Sequence, residues 1–171
     1  MDRRIRAGVT GSKGTVMNAL TRLNDLLARG LAPLADLVAL AIRVHVGWQF
    51  MKSGLLKLQD WSTTLYLFEN EYRVPVLSPH AAAFAGTTGE LLFPVLLFLG
   101  LGGRLGALGM SAVNAMAVIA YAHVLLQDGF EAAIGQHVLW AWLLVVIAVH
   151  GPGRLSIDRW LARRHAPAGR Y

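Results

Sequence analysis

Four apolar stretches joined by short polar connections organise this chain. The first runs from about Leu34 to Leu58, the second from about His80 to Leu101, the third from about Arg104 to Leu125. A shorter fourth covers about Ala133 to Val149. Each is near the roughly 20 residues that a helix needs to cross a hydrocarbon core. The pattern predicts an all-α polytopic membrane protein, a four-helix bundle filling residues 34–150 of one membrane domain. Gly151-Pro152-Gly153 stops the fourth stretch and opens a basic tail, residues 151–171.

The flanks follow a different period. Val16, Leu20, Leu23 and Leu27 recur at helical spacing, with Arg22, Asp25 and Arg29 on the other side. That predicts an amphipathic helix on the membrane surface within residues 1–33, ended by Gly30 and Pro33. No long apolar run precedes it, so no cleavable leader is expected. In the first connection Trp61, Leu65, Phe68 and Tyr72 form a second amphipathic pattern. It predicts a short helix on the outer interface, where Trp and Tyr are favoured, closed by Pro75 and Pro79. Gly103, Ala107, Ser111 and Ala115 make a small-residue stripe on the third span, which suits close helix packing in lipid.

Composition sharpens the class. Of 171 residues, 55% are hydrophobic and 15% charged, with a mean hydropathy of +0.47. One water-soluble core of this size cannot hide so much apolar surface, which excludes a disordered chain, a coiled coil and most soluble enzymes. The net charge of +6 would point to nucleic acid if it were spread over a soluble domain. Instead twelve Lys and Arg fall on the first thirty residues, Arg104 and the tail, against Arg73 and Lys57 on the opposite side. This bias places both termini in the cytoplasm and explains the basic balance without a nucleic-acid partner. The chain has no cysteine, so disulfides, thiol redox chemistry and Cys-ligated iron–sulfur clusters are excluded.

Polar residues within the apolar spans are the candidate site. Arg43 and Glu90 lie nine and ten residues into antiparallel spans, about 13 and 15 Å from opposite faces at 1.5 Å per residue. Asn114 is comparably deep. An unpaired charge at that depth is costly, so an Arg43–Glu90 pair is expected, either locking two helices or flooring a polar pocket. His45, Gln49 and Lys52 share a second face of the first span, within about 60° of each other. They require partners from another helix or from a bound polar molecule. His80, His123 and His137 fall near the outer ends of three spans and form a weaker metal alternative, without HxxxH or HxxE spacing. P-loop, GxSxG, HExxH and GxGxxG patterns are absent.

These residues resemble the DoxX family of small bacterial four-helix membrane proteins. Arg43 followed by Phe50-Met51-Lys52-Ser53-Gly54-Leu55-Leu56-Lys57-Leu58 is similar to the family's arginine and F-x-x-SG-x-x-KL. Thr87-Thr88-Gly89-Glu90 is similar to its second-helix glutamate, and Leu99-Gly100-Leu101 with Arg104 to its G-L-x-x-R turn. Gly151-Pro152-Gly153-Arg154-Leu155-Ser156-Ile157-Asp158 resembles the terminal G-x-G-x-x-S-x-D. The first connection resembles the branch encoded beside metal-stress and peptide-modifying genes. The resemblance implies a bacterial inner-membrane location and a link to quinone-coupled oxidation or terminal oxidases. By carry-over Arg43, Lys52, Lys57 and Glu90 take the family's polar positions.

Three functions are compatible with this reading. One is a quinone- or quinol-interacting subunit of a membrane redox or stress-response system, with Arg43, His45, Gln49 or Lys52 holding the carbonyls and Glu90 or His45 exchanging protons. Quinone would be its non-covalent cofactor, and electrons would come from a partner or substrate. Another is a non-catalytic partner of a membrane or periplasmic protein, docking through Trp61–Tyr72. The third is a small transporter or metal-handling protein using the outer histidines. Whether the chain is an enzyme at all stays open at this level, since no self-contained redox motif is present.

Overall fold

A computed structural model describes residues 3–102 and 104–164, with side chains from Met17 onward. Seven helices and no strands are found among the described residues: α1 (Arg3–Gln59), α2 (Trp61–Asn70), α3 (Pro79–Leu99), α4 (Arg104–Ala120), α5 (Ala122–Leu125), α6 (Glu131–His150) and α7 (Ile157–Arg164). The chain divides into two compact units, residues 1–35 and 36–171.

The first unit is helical through α1, and Leu20, Leu23 and Leu27 on it are exposed. Val16 of the expected stripe lies outside the described side chains. Gly30 and Pro33 do not end this helix, contrary to the sequence expectation; α1 passes through both. Pro33 deprives only the Arg29 carbonyl of its N–H partner. The flanking Leu and Ala residues are strong helix formers, which offsets the local cost.

In the second unit, four helices supply one apolar core: Val46 and Phe50 from α1, Leu97 from α3, Ala107 and Met110 from α4, and Leu144 and Ile147 from α6. Glycines set how closely α3 and α4 approach. A Cβ on Gly109 would overlap the Phe93 ring, and one on Gly89 would press on Val113 at 2.7 Å. The expected stripe is only partly the contact. Ala107 is buried, but Ser111 turns its hydroxyl back to the Ala107 carbonyl (2.8 Å) and Ala115 is exposed. Gly103 lies outside the described residues.

α3 and α6 are each long and apolar enough to cross a membrane, and α4 is a shorter apolar helix. The core helix of a soluble protein would be mostly buried. Here Phe84 and Leu92 on α3, Leu105 and Leu108 on α4, and Trp142 and Val149 on α6 are all exposed. Large apolar side chains exposed along three helices are what a lipid-facing bundle presents. This is an all-α membrane protein.

The third apolar stretch is broken rather than continuous. α4 ends at Ala120, whose carbonyl accepts the Arg73 N–H at 2.8 Å, so Tyr121 turns out of the helix before α5 begins. α2 starts at an Asp60 cap whose carboxylate accepts the Thr63 N–H at 2.9 Å. Trp61 of its apolar stripe is exposed, whereas the rest packs inward. Phe68 is buried against Ala82 and Ala83 of α3, with Leu65 and Tyr72 packed beside it. α2 closes at Glu71, before Pro75. α3 opens on a Ser78 cap with Pro79 in its first turn, where the missing N–H costs nothing.

The tail folds back on the helix ends. Gly151 and Gly153 take positive φ, which lets the chain reverse after α6. The Arg154 N–H then donates to Asp36 at 2.7 Å, and Asp158 accepts the Gly102 N–H at 3.1 Å.

Candidate functional site

A cavity of about 510 Å³ lies inside the second unit. Gln49, Phe50, Ser53 and Lys57 reach it from α1, Phe68 from α2, Gly86 and Glu90 from α3, Val113 and Ala117 from α4, and His137 and Trp140 from α6. Tyr72 and Tyr121 close its end near the connections. The wall is mostly apolar and aromatic, with a few polar groups set into it, as is usual for small-molecule pockets of this size.

The polar centre is an ion pair. Lys57 Nζ donates to Glu90 Oε2 at 2.8 Å and Oε1 at 3.0 Å, and to the Ser53 hydroxyl at 2.8 Å. On the opposite wall His137 Nδ1 meets Asn114 Oδ1 at 2.8 Å, while Asn114 Nδ2 donates to the His137 carbonyl at 3.0 Å. Asn114 therefore holds the imidazole in place from behind. Trp140 stacks edge-on against Phe50 and His137, with ring centroids 5.3 and 5.0 Å apart. Its indole N–H is buried and has no hydrogen-bond partner among the described residues. An unpaired buried donor of this kind costs about 1–3 kcal/mol. Burial, then the neighbouring Tyr121, Glu90 and Glu71, hold the Tyr72 hydroxyl above its ordinary pKa, so it remains a neutral donor.

The expected Arg43–Glu90 pair does not form. Arg43 is 1% exposed and donates to the main-chain carbonyls of Ala39 (3.4 Å), Leu97 (3.1 Å) and Leu155. It ties α1 to the end of α3 and to the returning tail. The helix register explains the difference: Gly47 faces Phe98, and Gly54 faces Leu91 and Glu90. Glu90 thus lies opposite Gly54, eleven residues along α1 from Arg43, or roughly 16 Å at 1.5 Å per residue.

Of the other sequence candidates, Gln49 and Glu90 line the cavity, and Asn114 supports it through His137. His45 and Lys52 are exposed and take no part in it. The three outer histidines are not brought together. His80 lies 3.7 Å from exposed Glu69, His123 stacks on Tyr121, and His137 is held by Asn114. No group of three metal-ligating side chains occurs among the described residues.

Lys57, Ser53, Tyr72, Tyr121 and Trp140 escaped the reading by depth and polarity. One signal was present. Gln49, Ser53 and Lys57 recur at i, i+4 and i+8, a single helix face. The family resemblance had also marked Lys57.

A family model described as DoxX matches residues 38–123, just over half of the chain. The chain belongs to the DoxX family. No curated protein and no solved structure matches it. The matched segment runs from α1 through α5 and contains Arg43, Lys57, Glu90 and Asn114. The terminal Gly151–Asp158 motif lies beyond it. In this DoxX protein that motif holds the tail against the helix ends. A Cβ on Gly153 would meet the Asp36 carboxylate at 3.2 Å, and Leu155 presents its carbonyl to Arg43.

Proposed function

We propose that this DoxX protein is a quinone- or quinol-interacting subunit of a membrane redox or stress-response system, with the Lys57–Glu90 cavity as its site. The observation that carries this reading is an aromatic-lined cavity with the Lys57–Glu90 pair and His137 set into its otherwise apolar wall. A planar headgroup bearing carbonyl oxygens suits a cavity with such walls. The Tyr72 and Tyr121 hydroxyls are the donors that would hold it; Phe50 and Phe68 supply flat apolar contact. A quinone supplies two carbonyl acceptors and two-electron, two-proton chemistry. The Glu90 carboxylate, held by the Lys57 ammonium, is the acceptor in the cavity towards which a quinol hydroxyl would donate. Asn114 fixes the His137 ring, which keeps a second proton-bearing group at a set orientation.

The charge bias supports four spans, α1 from about Asp36, then α3, α4 and α6, with both termini on the cytoplasmic side of the bacterial inner membrane. Electrons would come from a partner protein or substrate. The alternative role as a docking partner through Trp61–Tyr72 draws less support, because Leu65, Phe68 and Tyr72 turn inward onto α3.

Lipid extraction and mass spectrometry of the detergent-purified protein test the reading. Quinone is expected to co-purify near stoichiometry and to be lost in Lys57→Met and Glu90→Leu variants. Wild-type protein without quinone, and without a thermal shift on adding it, would refute the proposal.

A further inference from the structure

Polar and apolar residues are not distributed evenly around the cavity. Its exposed lining residues are Leu77, Ala85, Ala112 and Met116, and all four are apolar. Every other lining residue is buried or half-buried, including Lys57, Glu90, His137 and Trp140. Three of the four exposed residues flank one seam. Ala85 is on α3, and Ala112 and Met116 are on α4.

The seam has defined ends. On one side Gly89 and Gly109 bring α3 and α4 into contact, Gly89 against Val113 and Gly109 against Phe93. On the other side the connection is tied to α4 by the bond from the Arg73 N–H to the Ala120 carbonyl. Between them lie Ala85, Gly86 and Ala112, which are small, and the flexible Met116 side chain. The surrounding helix surface is apolar as well, with Phe84 on α3 and Leu108 and Ile119 on α4 all exposed. In a bilayer this surface would meet lipid. A mouth whose rim is wholly apolar excludes hydrated solutes, whereas the polar groups lie behind it.

We infer that the α3–α4 seam at Ala85, Ala112 and Met116 is a lateral portal from the bilayer, and that the cavity takes a headgroup carried on a long apolar tail that lies in this seam. This rests on the quinone reading of the cavity. It adds the route of entry, from the bilayer rather than from water, and the place of the tail.

The chain has no cysteine, so single cysteines can be placed cleanly. Ala85→Cys and Ala112→Cys variants, with Val145→Cys on the exposed face of α6 as control, are reconstituted in lipid nanodiscs. Alkylation by N-ethylmaleimide is followed by mass spectrometry with ubiquinone-10, with ubiquinone-1 and without quinone. Thermal stabilisation of wild-type protein by each quinone is measured in parallel. The portal predicts that both quinones stabilise the protein. It also predicts that ubiquinone-10 slows alkylation at 85 and 112 at least fivefold. Ubiquinone-1 should slow it less than twofold, and position 145 should be unaffected. Stabilisation by both quinones with no protection at 85 and 112 would overturn the portal and leave the cavity reading standing. Stabilisation by neither would remove the cavity reading and the portal with it.

Discussion

The placement of the buried charges gives the sharpest test of the fold. Two double-mutant cycles distinguish the structure from a depth estimate: Lys57→Met with Glu90→Leu, and Arg43→Met with Glu90→Leu. Lys57 and Glu90 are in contact at 2.8 Å, with side chains 16% and 10% exposed. Removing one member of such a pair leaves an uncompensated charge, which typically costs about 3–5 kcal/mol. Replacing both by apolar residues recovers much of that loss, so a coupling energy of roughly 3 kcal/mol is expected. Arg43 lies roughly 16 Å from the level of Glu90 and is satisfied by carbonyls instead. At an effective dielectric of about 20, two unit charges at that separation interact by only about 1 kcal/mol. Arg43→Met alone should still destabilise, by about 1–3 kcal/mol, because it orphans the Leu155 carbonyl and leaves the Leu97 carbonyl with the Gly100 N–H alone. Reversible unfolding in mixed micelles by titration with a denaturing detergent supplies the free energies. A coupling between Arg43 and Glu90 as large as that between Lys57 and Glu90 would refute the observed register.

Three further outcomes are expected. Reporter fusions after Asp60 and Asp128 should read as periplasmic, and fusions after Arg104 and Arg164 as cytoplasmic; an external C-terminus would invalidate the four-span topology. Gly109→Val should destabilise the protein by about 1–3 kcal/mol through the clash with Phe93, whereas Gly135→Ala, in open space, should not. The Asp60 carboxyl is held down to about 2 by the Thr63 N–H, then by the Thr63 and Ser62 hydroxyls. Its folded pKa is below the unfolded value. The cap therefore stabilises α2 above about pH 4 and is lost as pH falls towards 2. Helicity of α2 followed by NMR should decline across that window, and Asp60→Ala should abolish the dependence.

Sequence alone determined the elements that depend on local chemistry. The expected spans His80–Leu101 and Ala133–Val149 correspond to α3 (Pro79–Leu99) and α6 (Glu131–His150). Main-chain hydrogen bonds within a helix need no distant partner, and in lipid every one must be made, so an apolar run of sufficient length dictates its own helix. Family membership was legible for a similar reason, since its motifs sit at fixed positions along the chain. What required tertiary structure was everything set by registration between helices. Arg43 and Glu90 have similar depths when counted from the ends of their spans. The contacts of Gly47 with Phe98 and of Gly54 with Leu91 slide the helices so that Lys57, not Arg43, meets Glu90. The break at Tyr121 likewise depends on a bond from Arg73, forty-seven residues earlier, to the Ala120 carbonyl. The cavity belongs to neither helix alone. Gln49, Glu90, His137 and Trp140 converge because side-chain packing fixes the rotation of each helix about its own axis, a quantity that hydropathy does not encode.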